Sequence, residues 1–401
     1  MGSFPKTSSE AFILNEMVEL VRMGHEIHIV ADRKRTDKAH QDAIEYGLVD
    51  RTIAPRREYR RGLEKSVDFM FKASWEFVKH PILTTGLMRE IRRYVKDPWM
   101  IMDIYLSLLQ IRDLDVDIVH SPFSNSKNLT KAYLISRMKK VPYTISMRAR
   151  EIYHAGEMKD MKKCQEIIES SSAVITISNY NISYIKRNLG IGDIKLVRSS
   201  IDPEKFKPVK AEKRRKITTI GRFIEKKGIE YLIEALSIMD KKGYRDLEFL
   251  LIGEGPLEAK YRRMLEDLGL SDRSTLRSDL TQEEILSELS DTMVFCLPSV
   301  VASDKDMDML PNVIKEAMAM EIPVLTTNMP GMGELIKNGE NGILVEPRDH
   351  RELAESLIEL MEDPALRSFL GKNGRRTIIR DFSTDKEAKK LERIFIDAVQ
   401  G

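Results

Sequence analysis

Cysteine is scarce: Cys164 and Cys296, far apart in sequence, are the only two in 401 residues. They cannot build a disulfide framework or a Cys-rich zinc site, which favours a reducing, cytosolic setting. Net charge is nearly absent, because 65 Lys+Arg stand against 63 Asp+Glu. A dedicated nucleic-acid binder carries an excess of basic residues for phosphates, so no nucleic-acid partner is expected. Long apolar runs are also missing. The longest, Trp99 to Ile111, is interrupted by Asp103 and Gln110 and falls short of the roughly 20 residues that span a bilayer. Lys6 and Glu10 stand where a signal peptide would run its apolar segment. No Gly-x-Gly-x-x-Gly follows an early strand, which disfavours a nicotinamide dehydrogenase.

What is present is ample chain and regular alternation. The 42% hydrophobic content is that of a globular protein, and at roughly 100–200 residues per domain the length suits two domains. Short β-branched runs alternate with helical periods, the pattern of parallel sheets flanked by helices. Strands are expected at Ile27–Ala31, Asp117–His120, Tyr143–Ser146, Ala173–Ile177 and Lys195–Arg198. A second set is expected at Lys216–Ile220, Glu248–Ile252, Met293–Leu297, Ile322–Leu325 and Ile343–Val345. The polar, Pro-punctuated segment 202–210 between the sets reads as a linker. This divides the chain into 1–201, the linker, 211–382 and a final helix, 383–401.

The first domain has two irregularities. Met1 to Pro5 reads as a turn leading to Ser9, an N-cap for a helix from Glu10 to Met23, so the opening strand of a doubly wound domain is expected to be missing. Residues 51–111 form an insertion in which basic residues, among them Arg56, Arg57, Arg60 and Arg61, thread through apolar ones. Leu63, Val67, Met70, Phe71, Trp75 and Val78 lie on one face of a helix. That face either packs on its own domain or contacts an anionic membrane or lipid-linked substrate.

Chemistry concentrates in the second domain. Gly221-Arg222-Phe223-Ile224-Glu225-Lys226-Lys227-Gly228 follows a strand and precedes a helix. At the carboxyl end of a parallel strand Gly221 permits close backbone approach, Arg222 offers a planar fork to phosphate oxygens, and Lys227 adds a point charge. Basic loops are also commonly just solvated. In Asp308-Met309-Leu310-Pro311-Asn312-Val313-Ile314-Lys315-Glu316, Pro311 suits the first turn of a helix. The free N–H groups around Leu310, Pro311, Asn312 and Val313 would then face a diphosphate. Glu316, in an apolar neighbourhood, suits ribose hydroxyls, and Asp308 suits hydroxyls further along the ligand. The plainer reading is acidic residues placed near a helix start by its dipole. Gly253-Glu254-Gly255-Pro256 and Pro330-Gly331-Met332-Gly333-Glu334 are glycine turns at the same sheet edge.

Taken in order, Gly221-Arg222…Lys227-Gly228, Gly253-Glu254-Gly255-Pro256, Leu297-Pro298-Ser299, Leu310-Pro311-Asn312-Val313…Glu316-Ala317, Gly331…Glu334 and Asn338-Gly339…Asn341-Gly342 resemble the donor half of the retaining glycosyltransferases of family 4. Gly24-His25-Glu26-Ile27, Val119-His120, Ile177-Ser178, Ile201-Asp202 and Phe206 extend the likeness thinly into the first domain. The resemblance implies a GT-B fold: two Rossmann-like α/β domains facing across a cleft, with the last helix crossing back to the first domain. It implies metal-independent transfer of a hexose from a UDP- or GDP-linked donor on the second domain, with no cofactor. The acceptor, a glycan or lipid-linked glycan of the kind used in polysaccharide biosynthesis, would sit on the first domain.

Carried over, Arg222, Lys227 and Asp308 are the catalytic positions. Gly221, Gly253, Leu310, Pro311, Asn312, Val313 and Glu316 bind the donor, and Gly2, Ser9, His120 and Arg148 lie on the acceptor or sugar side. No metal ligand is implied. The chain departs from the family at Asp308, where Glu is usual, and at Arg148, where His is usual. It departs also at Glu151, in place of Asp, and at Ser199-Ser200, in place of Asn-Gly. Arg148 signals an anionic donor or acceptor. A cytoplasmic protein, peripheral on the inner membrane face, is the expected setting. The alternatives are a nucleotide-sugar 2-epimerase of the same fold and an inactive sugar-nucleotide-binding protein.

Overall fold

The computed structural model describes residues 3–4, 11–34, 40–54, 81–148, 150–153, 162, 164–209 and 213–401. Gly2, Ser9, Arg56, Arg57, Arg60, Arg61 and the stripe from Leu63 to Val78 lie outside them. Two units divide the chain: Met1–Ile177 with Ile182–Val197 and Ala388–Gly401, and Ser178–Asn181 with Arg198–Glu387.

In the first unit, β5 (Val119–Ser121), β6 (Tyr143–Met147), β7 (Ala173–Thr176) and β8 (Ile194–Leu196) form a four-stranded sheet. All its pairings are parallel. Two short parallel pairs precede it: β1 (Ser3–Phe4) with β3 (Arg33–Lys34), and β2 (Ile29–Val30) with β4 (Thr52–Ile53). The opening strand expected to be missing is therefore there as two residues, β1. Its single buried apolar side chain, Phe4, is too little to read as a strand.

Of the insertion, helices Pro81–Tyr94 and Pro98–Gln110 are described. Asp97 caps the latter by accepting the Met100 N–H at 2.8 Å. Ile91, Ile104, Tyr105 and Leu108 bury themselves in the core of this unit, which is why that apolar run is long without being membranous. No described helix is long and apolar enough to cross a membrane. The last helix, Thr384–Gln400, joins this unit from Ala388 onward. Its Leu391 packs with Leu20, Ile175 and Val197.

The second unit is a six-stranded parallel sheet in the order β11-β10-β9-β12-β13-β14. Its strands are β9 (Lys216–Ile220), β10 (Glu248–Ile252), β11 (Ser274–Arg277), β12 (Val294–Leu297), β13 (Val324–Thr327) and β14 (Ile343–Val345). β10 is Glu-Phe-Leu-Leu-Ile with its last four residues buried, the near-continuous apolar run of a strand covered on both faces. Helices Ile229–Lys241 and His350–Glu362 supply Leu232, Leu236, Leu353 and Leu357 to the core against Phe249 and Leu325. The expected linker is not free of structure: Phe206 is buried, and its carbonyl accepts from the Arg375 guanidinium at 3.0 Å.

The chain winds outward from β9 through β10 to β11, then returns to β12 and winds the other way. The reversal falls between β9 and β12. In such sheets ligands bind outside the carboxyl ends of the strands at this point. The loops after these two strands contain Arg222, Lys227 and Asp308.

Candidate functional site

Three glycines draw the loops together. Gly228, at φ +61°, lies so close to the loop after β12 that an added Cβ would be 2.0 Å from the Pro298 carbonyl oxygen. Gly253, at φ +153°, would put one 1.9 Å from the Gly221 carbonyl oxygen. Gly255, at φ +156°, would put one 2.5 Å from that of Phe223. Only glycine permits both the close approach and the backbone angle at these places. Further ties are the Val300 N–H to the Lys226 carbonyl at 2.9 Å and the Ser303 hydroxyl to Glu225 at 2.7 Å.

On this frame the Arg222 side chain is exposed, with no ion pair or hydrogen-bond partner among the described residues. The Lys227 stem runs along Gly221, whose added Cβ would meet its Cε at 3.1 Å. Its ammonium pairs with Asp308 Oδ2 at 2.5 Å. Asp308 Oδ1 also lies 3.3 Å from Lys226 Nζ, and Lys226 pairs with Asp306 at 3.1 Å. Burial by itself would raise the Asp308 carboxyl, but the charges of Lys227 and Lys226 outweigh it and hold it below its ordinary value. Lys226 is raised because Asp308 and Asp306 overcome its burial.

Helix Asn312–Ala319 begins one residue later than expected: Pro311 is its N-cap, at ψ 131°, and Asn312 is the first helical residue. A proline N-cap has no side-chain oxygen to offer; the Ile314 N–H reaches the Pro311 carbonyl at 3.2 Å, and the Asn312 and Val313 N–H groups receive no side-chain cap from that residue. The Asn312 amide oxygen accepts from the Ser199 hydroxyl at 2.8 Å, so that side chain is engaged within the unit. Leu310 is buried and Val313 half-buried. Glu316 is half-buried on the same helix, and its carboxyl has no hydrogen-bond or ion-pair partner among the described residues. Burial pushes its carboxyl up to about 7, against the pull of Lys315. A carboxyl raised by desolvation and without a side-chain partner is suited to receive hydroxyl donors.

The Gly331 loop serves a different end. Glu334 accepts the backbone N–H groups of Asn179 and Tyr180 at 3.0 and 2.9 Å, which commits that carboxylate to backbone positioning.

In the first unit, Arg148 does not offer the free positive charge expected of it. It is buried, its Nη2 is 2.8 and 3.1 Å from the two oxygens of Glu16, and its Nε donates to the Pro122 carbonyl at 3.2 Å. Its guanidinium carbon stacks 4.6 Å from the Phe12 ring centroid. The charge signalling an anionic ligand in the sequence is spent internally, on a glutamate 132 positions away. Glu151 accepts the Arg148 backbone N–H at 3.1 Å, and burial raises its carboxyl. His120 bonds Thr144 Oγ1 at 2.8 Å and lies 3.3 Å from Ser146 Oγ. Burial, reinforced by Arg148, drops its imidazole to about 3.

Two groupings escaped the sequence reading. Lys226, next to Lys227, sits between Asp306 and Asp308 and so belongs to the same charge cluster. Lys127 and Lys131, one turn apart on helix Ser126–Lys139, enclose Asp32 and Asp103 at 2.5–3.8 Å. Their i, i+4 spacing was the available signal. Asp32 is lowered to about 2 because Lys131 and Lys127 overcome its burial. This unit also holds a cavity of about 640 Å³, walled by Ile29, Val119, His120, Phe395 and Ile396 among others. Among the described residues no group of three or more His, Cys, Asp or Glu is placed to hold a metal ion.

Fold and site together define a protein of two α/β units with parallel sheets, the second doubly wound with an uncompensated cation at its switch point. Residues 200–377 match the model of the family described as glycosyl transferases group 1. The chain is 27% identical to the putative colanic acid biosynthesis glycosyltransferase WcaL of Salmonella typhimurium, across 96% of this chain and 95% of that protein. It is 25% identical to the UDP-Gal:alpha-D-GlcNAc-diphosphoundecaprenol alpha-1,3-galactosyltransferase of Escherichia coli, across 76% of this chain and 81% of that one. Among solved structures it superposes on Anabaena Alr3699/HepE in complex with UDP-glucose, with a TM-score of 0.70 at 14% identity, covering 99% and 98% of the two chains. These likenesses support a glycosyltransferase with the GT-B fold.

Proposed function

We propose that the protein is a retaining glycosyltransferase of family 4 that moves a hexose from a UDP- or GDP-linked donor to a glycan or lipid-linked acceptor in polysaccharide assembly. The observation that carries this reading is the exposed Arg222 guanidinium, unpartnered among the described residues, on the switch-point loop whose Lys227 pairs with Asp308 ahead of helix Asn312–Ala319. Arg222, Lys227 and the helix N–H groups gather positive charge where a diphosphate departs. Glu316 would take the ribose hydroxyls and Asp308 the donor sugar. The relatives' names, a colanic acid glycosyltransferase and a galactosyltransferase acting on a lipid diphosphate, support the acceptor class.

The reaction is front-side displacement. The acceptor oxygen bonds to the anomeric carbon on the face from which the phosphate oxygen leaves, and the acceptor's proton passes to that oxygen. Charge compensation comes from the chain's own cations, so the reading is metal-independent and without a cofactor. Exposed Arg89, Arg92 and Lys96 give the first unit a basic surface for an anionic membrane face, in keeping with a peripheral cytoplasmic enzyme.

Arg222→Ala tests the assignment. Nucleotide release in the presence of acceptor should fall about 10²–10³-fold, as when one donor to a developing oxyanion is removed. Thermal unfolding should stay unchanged, because the side chain is exposed. Unaltered nucleotide release would refute the role.

A further inference from the structure

We propose that Lys226 and Asp306 are positioning residues that release Lys227 to the donor diphosphate: Lys227 exchanges Asp308 for phosphate oxygens, while Lys226, held by Asp306, stays on Asp308. The inference rests on the donor-site reading above and assigns work to two residues that reading leaves idle.

The geometry provides two lysines and one shared carboxylate. Asp308 engages each lysine with a different oxygen, Oδ2 toward Lys227 at 2.5 Å and Oδ1 toward Lys226 at 3.3 Å. Either lysine can therefore leave without disturbing the other's contact. The two are anchored unequally. Lys226 has a second carboxylate, Asp306, at 3.1 Å, and its carbonyl is pinned by the Val300 N–H at 2.9 Å. Asp306 is in turn fixed, its N–H donating to Asp304 at 2.9 Å. Lys227 has Asp308 as its one ion-pair partner among the described residues, and its stem lies along the bare backbone of Gly221, next to Arg222. The lysine lying along Gly221, the residue before Arg222, is thus the one with fewer ties.

Without a second cation on Asp308, moving Lys227 to a phosphate would leave a half-buried carboxylate with only the Ser299 hydroxyl, 3.4 Å away, to offset its charge. Lys226 supplies the missing offset. Asp308 then stays ionised to accept sugar hydroxyls once Lys227 has gone. The arrangement also restrains Lys227 until an anion competes for it.

The test is calorimetric titration of UDP, GDP and inorganic pyrophosphate into the wild-type chain and into Lys226→Met, Lys226→Arg, Asp308→Asn and the double variant Lys226→Met/Asp308→Asn. Lys226→Met should weaken binding by roughly tenfold, equivalent to about 1.4 kcal/mol, and Lys226→Arg should restore most of it. Asp308→Asn should bind the diphosphate at least as tightly as wild type, because Lys227 no longer has a carboxylate to leave. The double variant should match Asp308→Asn, the coupling that a merely structural Lys226 would not show. Equal binding by Lys226→Met and wild type overturns the proposal. So does an undiminished Lys226→Met penalty in the Asp308→Asn background, which would put Lys226 itself on the phosphate. If the wild-type chain binds none of the three probes, the donor-site reading fails and the exchange fails with it.

Discussion

An added Cβ on Gly228 would sit 2.0 Å from the Pro298 carbonyl oxygen, which makes this glycine the closest joint between the two loops of the proposed donor site. Both a left-handed φ of +61° and a backbone collision oppose any side chain here. Gly269 has nearly the same φ, +67°, but open space around it. Gly269→Ala should cost only the conformational penalty, roughly 1–2 kcal/mol. Gly228→Ala should cost that plus a shift of Pro298, on the order of 3 kcal/mol in all. Chemical denaturation of the two variants measures the difference. Nucleotide binding should weaken only in Gly228→Ala, because Lys227 precedes the joint.

Glu316 should make the proposed donor site sensitive to pH. Its carboxyl titrates at about 7 where an ordinary glutamate has 4.5, so near pH 6 it is largely protonated in the folded chain. The ionised form accepts hydroxyl donors best, so UDP or GDP affinity should rise as pH goes from 6 to 8. Stability moves the opposite way: between 4.5 and 7 the folded state holds more protons than the unfolded state. This group's contribution is therefore lost as pH rises through that window. Titration of each nucleotide at several pH values checks the first effect. Glu316→Gln should flatten the profile, and an unchanged slope would remove Glu316 from the ribose role.

His120 should act in the reverse direction. With its imidazole at about 3 instead of 6.5, the folded state holds fewer protons than the unfolded state between those values. Stability is then present above pH 6.5 and falls as the solution is acidified. Acid unfolding followed by circular dichroism should show a shallower decline for His120→Gln than for wild type. The activity profile near neutrality should carry no contribution from His120.

Legibility followed the range of the interactions. β10 and β12 stand where the apolar runs of the sequence place them, because buried parallel strands write their burial as consecutive apolar residues. β11, Ser-Thr-Leu-Arg, left no such mark, since the edge of the sheet is only half-buried. At the site, Arg222, Lys227, Asp308 and Glu316 stood out because loops after strands and the start of one helix are local features. The engagement of Arg148 by Glu16 was illegible, because 132 positions separate partners that only the fold brings together. The role of Lys226 was hidden for a related reason: adjacent lysines look alike until the return loop supplies Asp306 to one of them.

Arg148 and Glu16 form a pair whose removal should be asymmetric. Their side chains are 8% and 6% exposed, and the charge of each is compensated chiefly by the other. Burying two charges is expensive, and their attraction roughly repays it, so the pair as a whole adds little stability. Removing one partner leaves the other charged and poorly solvated, which costs about 3–5 kcal/mol. Glu16→Leu alone and Arg148→Met alone should each lower the unfolding free energy by about that amount. The double variant should recover much of the loss, because Met can still pack on Phe12 where the guanidinium now stacks at 4.6 Å. Denaturation of the three variants closes the cycle. Additive losses would show that the two residues act separately. Recovery in the double variant would identify the pair as a matched internal charge, with no surplus left to attract an anionic ligand.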